Sequence, residues 1–86
     1  MAPPTEEQVL AEIRRIAALE LEITSPIEST HGLIEDLRLD SLGLTVLAVG
    51  LEDRFRVKLT EEDSAQINTV QDLARLVALR AAGAVR

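Results

Sequence analysis

The chain has 86 residues and a mass of 9.4 kDa, which suits a single small domain over residues 1–86. It contains no cysteine and one histidine, so it excludes a disulfide scaffold, a cysteine zinc site and a multi-histidine metal site. Its net charge of −6 at pH 7 argues against binding to nucleic acid and favours basic protein partners.

The sequence also lacks the signals of a membrane or secreted protein. No apolar run is long enough to span a bilayer. Residues 1–8 have neither the basic region nor the apolar region of a secretory signal. We therefore expect a cytoplasmic monomer without membrane insertion.

The first predicted helix covers roughly residues 5–22. Thr5 and Gln8 have the spacing of a capping box, in which each side chain accepts a hydrogen bond from a backbone N–H at the helix start. Apolar residues then recur at the spacing of one helix face, at Val9, Leu10, Ile13, Ile16, Ala17 and Leu21.

Residues 23–40 lack this periodicity and include two turn-forming segments, 24–26 and 29–32. Unstructured loops of this length are uncommon in compact domains. Because the segment is rich in apolar residues, we predict a long first loop that is held on the core by Ile27, Leu33, Ile34, Leu37 and Leu39.

A second helix is predicted to begin at Asp40-Ser41, where either side chain is suited to capping. Apolar residues occupy more than half of its circumference, and its acids, Glu52 and Asp53, lie near its C-terminal end. An apolar surface wider than one core stripe indicates burial on two sides or an exposed contact patch.

Two more helices are predicted after an alternating segment at 56–59. Thr60 caps a short one that ends near Gln66, and Thr69 caps a last one that ends at Gly83. The fold class is therefore all-α, a small four-helix bundle with three longer helices, a short third helix and a long first loop.

Ser41 is the candidate reactive residue. Its simplest role is to cap the second helix, because serine, threonine, aspartate and asparagine cap many helices. Its alternative role is to carry a phosphoryl-linked group, since the N-terminal end of a helix stabilises nearby negative charge. Local chemistry alone favours the capping role.

Residues 37–55 resemble the carrier motif of acyl carrier proteins. That family has Asp-Ser-Leu at the start of its second helix and Leu-Glu-(Asp/Glu)-x-(Phe/Tyr) near its end, and the corresponding residues here are 40–42 and 51–55. The resemblance covers nearly the whole chain, including 13–16 in the first helix, 35–37 before the serine and 67–73 at the entry to the last helix.

The resemblance implies a covalent carrier without catalytic activity of its own. A phosphopantetheinyl transferase would attach 4′-phosphopantetheine from coenzyme A to the oxygen of Ser41, between the site residues Asp40 and Leu42. The thiol of that group would hold an acyl chain as a thioester, which agrees with a chain that lacks cysteine. The acyl chain is expected to fold back between the helices, where each buried methylene contributes about 0.8 kcal/mol.

The resemblance also implies protein partners, namely acyl-loading and acyl-processing enzymes such as ligases, ketosynthases and acyltransferases. The residues expected to contact them lie before and along the second helix: Asp36, Asp40, Leu42, Val46, Val49, Glu52 and Asp53.

Several residues depart from the family pattern. Arg38 occupies a position where many relatives have glycine, and Gly43, Thr45 and Val46 stand where many fatty-acid carriers have acids. These differences favour a dedicated carrier of a specialised pathway, and they leave open whether it supplies fatty-acid, polyketide or lipid-modification enzymes.

Three alternatives remain open from the sequence. A peptidyl carrier is less favoured because residues 37–39 lack the Gly-Gly common before its serine. A noncovalent helical interaction module, with Ser41 only a cap, is the alternative of another class. An enzyme is the least favoured, because His31 lies in a loop and has no evident partner.

Overall fold

The computed structural model describes residues 2–84, which form four helices: α1 (Glu6–Glu20), α2 (Ser41–Phe55), α3 (Glu61–Gln66) and α4 (Val70–Ala84). Within this range there is no β-strand, only an isolated antiparallel bridge between Gly32 and Thr69. The predicted all-α class, with three longer helices and a short third one, is confirmed. None of the described helices is both long and apolar enough to cross a membrane.

Reciprocal side-chain caps begin three of the four helices, as the sequence predicts. In each, the threonine hydroxyl accepts from the backbone N–H three residues later, and the side chain of that later residue accepts from the threonine N–H. The donor–acceptor distances are 2.8–3.2 Å, and the pairs are Thr5 with Gln8, Thr60 with Asp63 and Thr69 with Asp72.

Two predicted helix ends are wrong. α1 ends at Glu20 rather than near residue 22, and Glu22 adopts a left-handed backbone conformation with φ of 56°. α4 passes through Gly83 and reaches Ala84. Gly83 does not adopt the positive φ by which a glycine usually ends a helix, so it is an ordinary helical residue here.

The core lies between the three longer helices. α1 packs against both α2 and α4, while α3 contributes no buried residue. Gly50 allows α1 and α2 to approach closely, because a Cβ atom there would lie 2.7 Å from Cδ1 of Ile16. The largest fully buried side chains come in pairs from the three longer helices: Val9 and Ile13, Leu47 and Leu51, Val70 and Val77.

The long first loop is held on the core by some of the predicted side chains. Ile27, Leu33 and Leu39 are buried and Leu37 is partly buried, but Ile34 is 63% exposed and its predicted burial is wrong. Residues 33–37 form a turn in which successive side chains point in different directions. Leu33 occupies the inward position, so Ile34 faces outward.

Backbone hydrogen bonds join this loop to the start of α4. The Leu33 N–H donates to the Asn68 carbonyl at 2.8 Å, and the Val70 N–H donates to the His31 carbonyl at 2.9 Å. The imidazole Nδ1 of His31 accepts from the Glu28 N–H at 3.1 Å. The single histidine therefore shapes a loop turn.

Glu12 is a charged residue in a buried position on α1. Its carboxylate accepts hydrogen bonds from Arg15 at 2.5–3.1 Å and lies 3.7 Å from the guanidinium of Arg54 on α2. The hydrogen bonds from Arg15 are the main reason that the pKa of Glu12 is lowered. Glu12 thereby links α1 to the C-terminal turn of α2.

We expect this site to make the fold sensitive to acid. A carboxyl group whose pKa is lower in the folded state adds stability above its unfolded pKa, here near 4.5, and this stability is lost as the pH falls toward the folded pKa. The melting temperature of Glu12→Gln should therefore fall less than that of the wild type between about pH 6 and about pH 3.

Glu20→Gln, at an exposed position on the same helix, is the control and should retain the wild-type acid response. Some acid sensitivity should remain in Glu12→Gln, because Arg80 lowers the pKa of Asp63 and the Asn68 N–H lowers that of Asp72. Identical melting curves for Glu12→Gln and the wild type at every pH would contradict the role of Glu12.

Candidate functional site

Asp40, not Ser41, caps α2. The Oδ1 atom of Asp40 accepts a hydrogen bond from the Gly43 N–H at 2.8 Å, and the backbone of Asp40 is extended, as the N-cap position requires. Ser41 is the first residue of α2 and is exposed. The structure therefore removes the capping role that the sequence left open for Ser41.

The start of α2 differs in charge from the starts of the other helices. Its first turn contains no acidic side chain, so Asp40 at the cap is the carboxylate that faces this end of the helix dipole. The first turns of the other helices contain the acids Glu6 and Glu7, Glu61, Glu62 and Asp63, and Asp72.

The chain reaches Asp40 through a left-handed residue. Arg38 has a φ of 60°, a region that glycine adopts easily and other L-residues rarely adopt. The N–H groups of Arg38 and Leu39 donate to the carbonyls of Ile34 and Leu33, each at 3.2 Å. This turn buries Leu39 and places Asp40 at the cap.

A cavity of about 520 Å³ opens beside Ser41, between α2, α3 and α4. Ser41 lies at one end of the α2 wall and Glu52 near the other. Most of the lining is aliphatic, and it includes Leu33, Leu44, Leu47, Ile67, Leu73 and Leu76.

A second groove, of about 450 Å³, lies between α1 and α2, and Thr45 and Val49 line both this groove and the cavity beside Ser41. Val46, Val49 and Asp53 of α2 line it together with Leu19 of α1. The broad apolar surface of α2 thus covers the core and also forms an exposed patch, since Leu42 is 72% exposed and Val49 55% exposed. Val46 is only partly exposed.

Three of the acids expected to contact partners also have internal roles. Oδ2 of Asp36 accepts from the Gly32 N–H at 2.6 Å, Asp40 caps α2, and Oε2 of Glu52 accepts from the Leu59 N–H at 2.7 Å. Asp53 is exposed. The bond between Glu52 and Leu59 joins residues seven apart across an irregular segment, and no sequence pattern indicates it.

A small helical bundle with an exposed serine at the start of its second helix, beside an apolar cavity, has the arrangement expected of a carrier-type domain. The phosphopantetheine attachment site family matches residues 11–77 of this chain. The chain therefore belongs to the acyl carrier protein family, and its prosthetic group is 4′-phosphopantetheine.

Individual relatives agree with this assignment. An acyl carrier protein of Rhodococcus erythropolis is 37% identical over 83 residues, which cover 93% of this chain and 90% of the relative. A meromycolate extension acyl carrier protein of Mycobacterium tuberculosis is 35% identical over 79 residues, which cover 87% of this chain and 66% of the relative.

The fold matches solved structures of the same family. A crystal structure of an acyl carrier protein from Thermotoga maritima is 22% identical and gives a TM-score of 0.76, over 87% of this chain and 88% of that one. At this identity the likeness concerns the fold alone.

We expect Arg38→Gly to stabilise the protein by about 0.5 kcal/mol. The glycine relieves the cost of a left-handed conformation, and the greater freedom of glycine in the unfolded chain offsets part of this gain. Urea unfolding measures the difference. Arg38→Ala is the control, because it removes the guanidinium but keeps the unfavourable φ, so an equal gain in that variant would contradict the backbone explanation.

Proposed function

We propose that the Oγ atom of Ser41 is the attachment point of 4′-phosphopantetheine and that the protein is a non-enzymatic acyl carrier of one domain. The observation that carries this proposal is the cap: because Asp40 occupies the cap position, the Ser41 hydroxyl is free of it and exposed at the start of α2. Ser41 also lies inside the matched range, 11–77.

The surroundings of Ser41 suit a phosphodiester. Ser41 lies at the positive end of the α2 dipole, and the first turn adds no carboxylate beyond that of Asp40 at the cap. Asp40 fixes the first turn of α2, from which the Ser41 side chain extends. The attached group supplies the thiol that holds the acyl chain as a thioester.

The cavity beside Ser41 suits the apolar part of such a cargo. Its lining is mostly aliphatic and it begins at the serine itself. Each methylene that moves from water into it gains about 0.8 kcal/mol. An acyl cargo is therefore favoured over an aminoacyl one, whose ammonium group gains nothing from an aliphatic wall.

The partners in this proposal are a phosphopantetheinyl transferase and the ligases, ketosynthases or acyltransferases of a dedicated pathway in the cytoplasm. Leu42 and Val49 supply exposed apolar contact on α2, and Asp53 supplies charge. One relative is named for meromycolate extension, which supports a specialised acyl pathway.

Ser41→Ala should abolish loading and leave the fold nearly unchanged. Because Asp40 supplies the cap, the loss of the Ser41 hydroxyl should change the free energy of unfolding by less than about 0.5 kcal/mol, as for an ordinary surface substitution. Mass spectrometry after incubation with coenzyme A and a promiscuous transferase measures the loading.

Ser64→Ala is the matched control, since Ser64 is a second exposed serine that lines the same cavity. It should load like the wild type. A gain of the prosthetic mass by Ser41→Ala would place the attachment elsewhere, and the absence of a gain by the wild type with several transferases would favour the noncovalent interaction module.

Val49→Glu tests the apolar docking patch on α2. We expect it to raise several-fold the KM of the protein's own transferase for this carrier, because it introduces a charge into an apolar contact. The substituted side chain stays exposed when the carrier is free, so the fold should not change. Val49 is a better test position than Val46. Val46 is partly buried, so a glutamate there would destabilise the fold as well as weaken docking.

The control is Leu79→Glu, which introduces the same charge at a position on α4 that is 66% exposed. Thermal melting establishes that both variants fold. An unchanged KM for Val49→Glu, or an equal increase for Leu79→Glu, would show that the patch is not a docking surface.

A further inference from the structure

α3 is the helix that the apolar core holds least. Within residues 2–84, it contributes no buried side chain, and none of its Cα atoms lies within 8 Å of a Cα atom of another helix. The residues that flank it, Leu59 and Ile67, are only partly buried against the core. Hydrophobic packing therefore fixes its two ends loosely and leaves its position to polar contacts.

Those polar contacts converge on Arg80 of α4. Its Nη1 atom donates to Oδ2 of Asp63 at 2.6 Å and to the Lys58 carbonyl at 2.8 Å, and its Nη2 atom donates to Oδ1 of Asp63 at 3.2 Å. One guanidinium thus binds α3 and the segment that leads into it, in the two-pronged geometry that arginine favours with carboxylates. We call these three bonds the Arg80 clasp.

The clasp lies at the far end of the cavity from the serine. Asp63 lines the cavity, as does Glu52, which binds the Leu59 N–H from the α2 side. Ser41 and Glu52 are eleven residues apart on α2, a rise of about 16 Å. The cavity therefore has the serine at one end and a set of charged side chains at the other.

The strength of the clasp suits reversible opening. The side chains of Arg80 and Asp63 are 36% and 17% exposed, so water screens the pair in part. The hydrogen bonds from Arg80 still hold the pKa of Asp63 below its ordinary value. A short helix held by such a pair opens far more easily than the core unfolds.

We propose that Arg80 is a positioning residue that holds α3 closed over the cavity and so controls how tightly an acyl chain carried on Ser41 is enclosed. This inference rests on the proposed function of Ser41. When the clasp is closed, α3 forms one wall of the cavity around the chain. When it opens, α3 moves away and the thioester end of the chain becomes accessible to water and to enzymes.

The first measurement is hydrogen–deuterium exchange on the unmodified protein. In Arg80→Gln the amides of α3 should exchange about two- to fivefold faster, the effect expected for a partly exposed pair. Amides in α1 and in the core of α2 should not change. Arg80→Lys, which keeps the charge, should recover part of the protection.

Arg75→Gln is the matched control, since it removes another exposed arginine of α4, one that lies 3.9 Å from Glu6 and away from α3. It should leave α3 exchange unchanged. Unchanged α3 exchange in Arg80→Gln would overturn the clasp and would assign the position of α3 to Leu59 and Ile67.

The second measurement is cleavage of the loaded thioester by hydroxylamine. The protein is loaded from decanoyl or acetyl coenzyme A by a promiscuous transferase. Arg80→Gln should speed cleavage of the decanoyl thioester about two- to fivefold and leave that of the acetyl thioester unchanged, because an acetyl group is too short to be enclosed. Arg75→Gln should match the wild type with both.

The outcomes separate the two proposals. Equal decanoyl cleavage in Arg80→Gln and the wild type, with faster α3 exchange, would overturn the control of the acyl chain. Faster cleavage of both thioesters would also overturn it, since enclosure would not be the cause. A wild-type protein that takes up no prosthetic group would overturn the proposed function of Ser41 and this inference with it, while exchange would still report whether the clasp holds α3.

Discussion

The hydrogen bond from the Gly43 N–H to Asp40 fixes the part of the fold on which the site depends. Gly43 is buried, and a Cβ atom there would lie 3.2 Å from Leu39 and 3.4 Å from Oδ1 of Asp40. The absence of a side chain at Gly43 therefore lets the buried Leu39 and the capping Asp40 close onto the same turn. Ser41 follows directly and is exposed, because Leu39, Asp40 and Gly43 supply the buried contacts and the cap hydrogen bond of this turn.

The molecule divides into an apolar part and a polar part. α1, α2 and α4 bury large aliphatic side chains against one another, whereas α3 is held mainly by hydrogen bonds and the Arg80–Asp63 ion pair, with Leu59 and Ile67 only partly buried at its ends. Apolar burial gives a stable frame, while partly exposed ion pairs contribute little and exchange readily with water. The cavity beside Ser41 therefore has two walls, α2 and α4, that belong to the apolar core, and one wall, α3, that polar contacts hold weakly. The core itself need not be flexible for this cavity to open.

Much of the fold follows from local patterns in the sequence, and the remainder depends on contacts distant in the chain. The threonine caps and the α1 stripe involve residues three or four apart, so the pattern alone predicts them. The choice between Asp40 and Ser41 as cap depends on backbone geometry that composition does not specify. The Arg80 clasp joins residues 17 and 22 apart, and the outward direction of Ile34 depends on how its turn packs, so neither had a signal in the sequence.

For the docking of α2 proposed above, we expect apolar contact to carry more of the recognition than the net charge of −6 suggests. Glu52 accepts a hydrogen bond from the Leu59 N–H, so its charge is partly occupied inside the molecule. The C-terminal part of α2 also carries charges of both signs on its surface, namely the exposed Asp53 and the exposed Arg54, which lies beside the buried Glu12. Exposed charges mainly change the rate of association and its dependence on salt, whereas desolvated apolar contacts mainly change dissociation. We therefore expect a partner that binds this face to show a weaker salt dependence than one that binds a uniformly acidic helix. Leu42 and Val49, which are exposed on either side of the half-buried Val46, would supply the apolar contact in that complex.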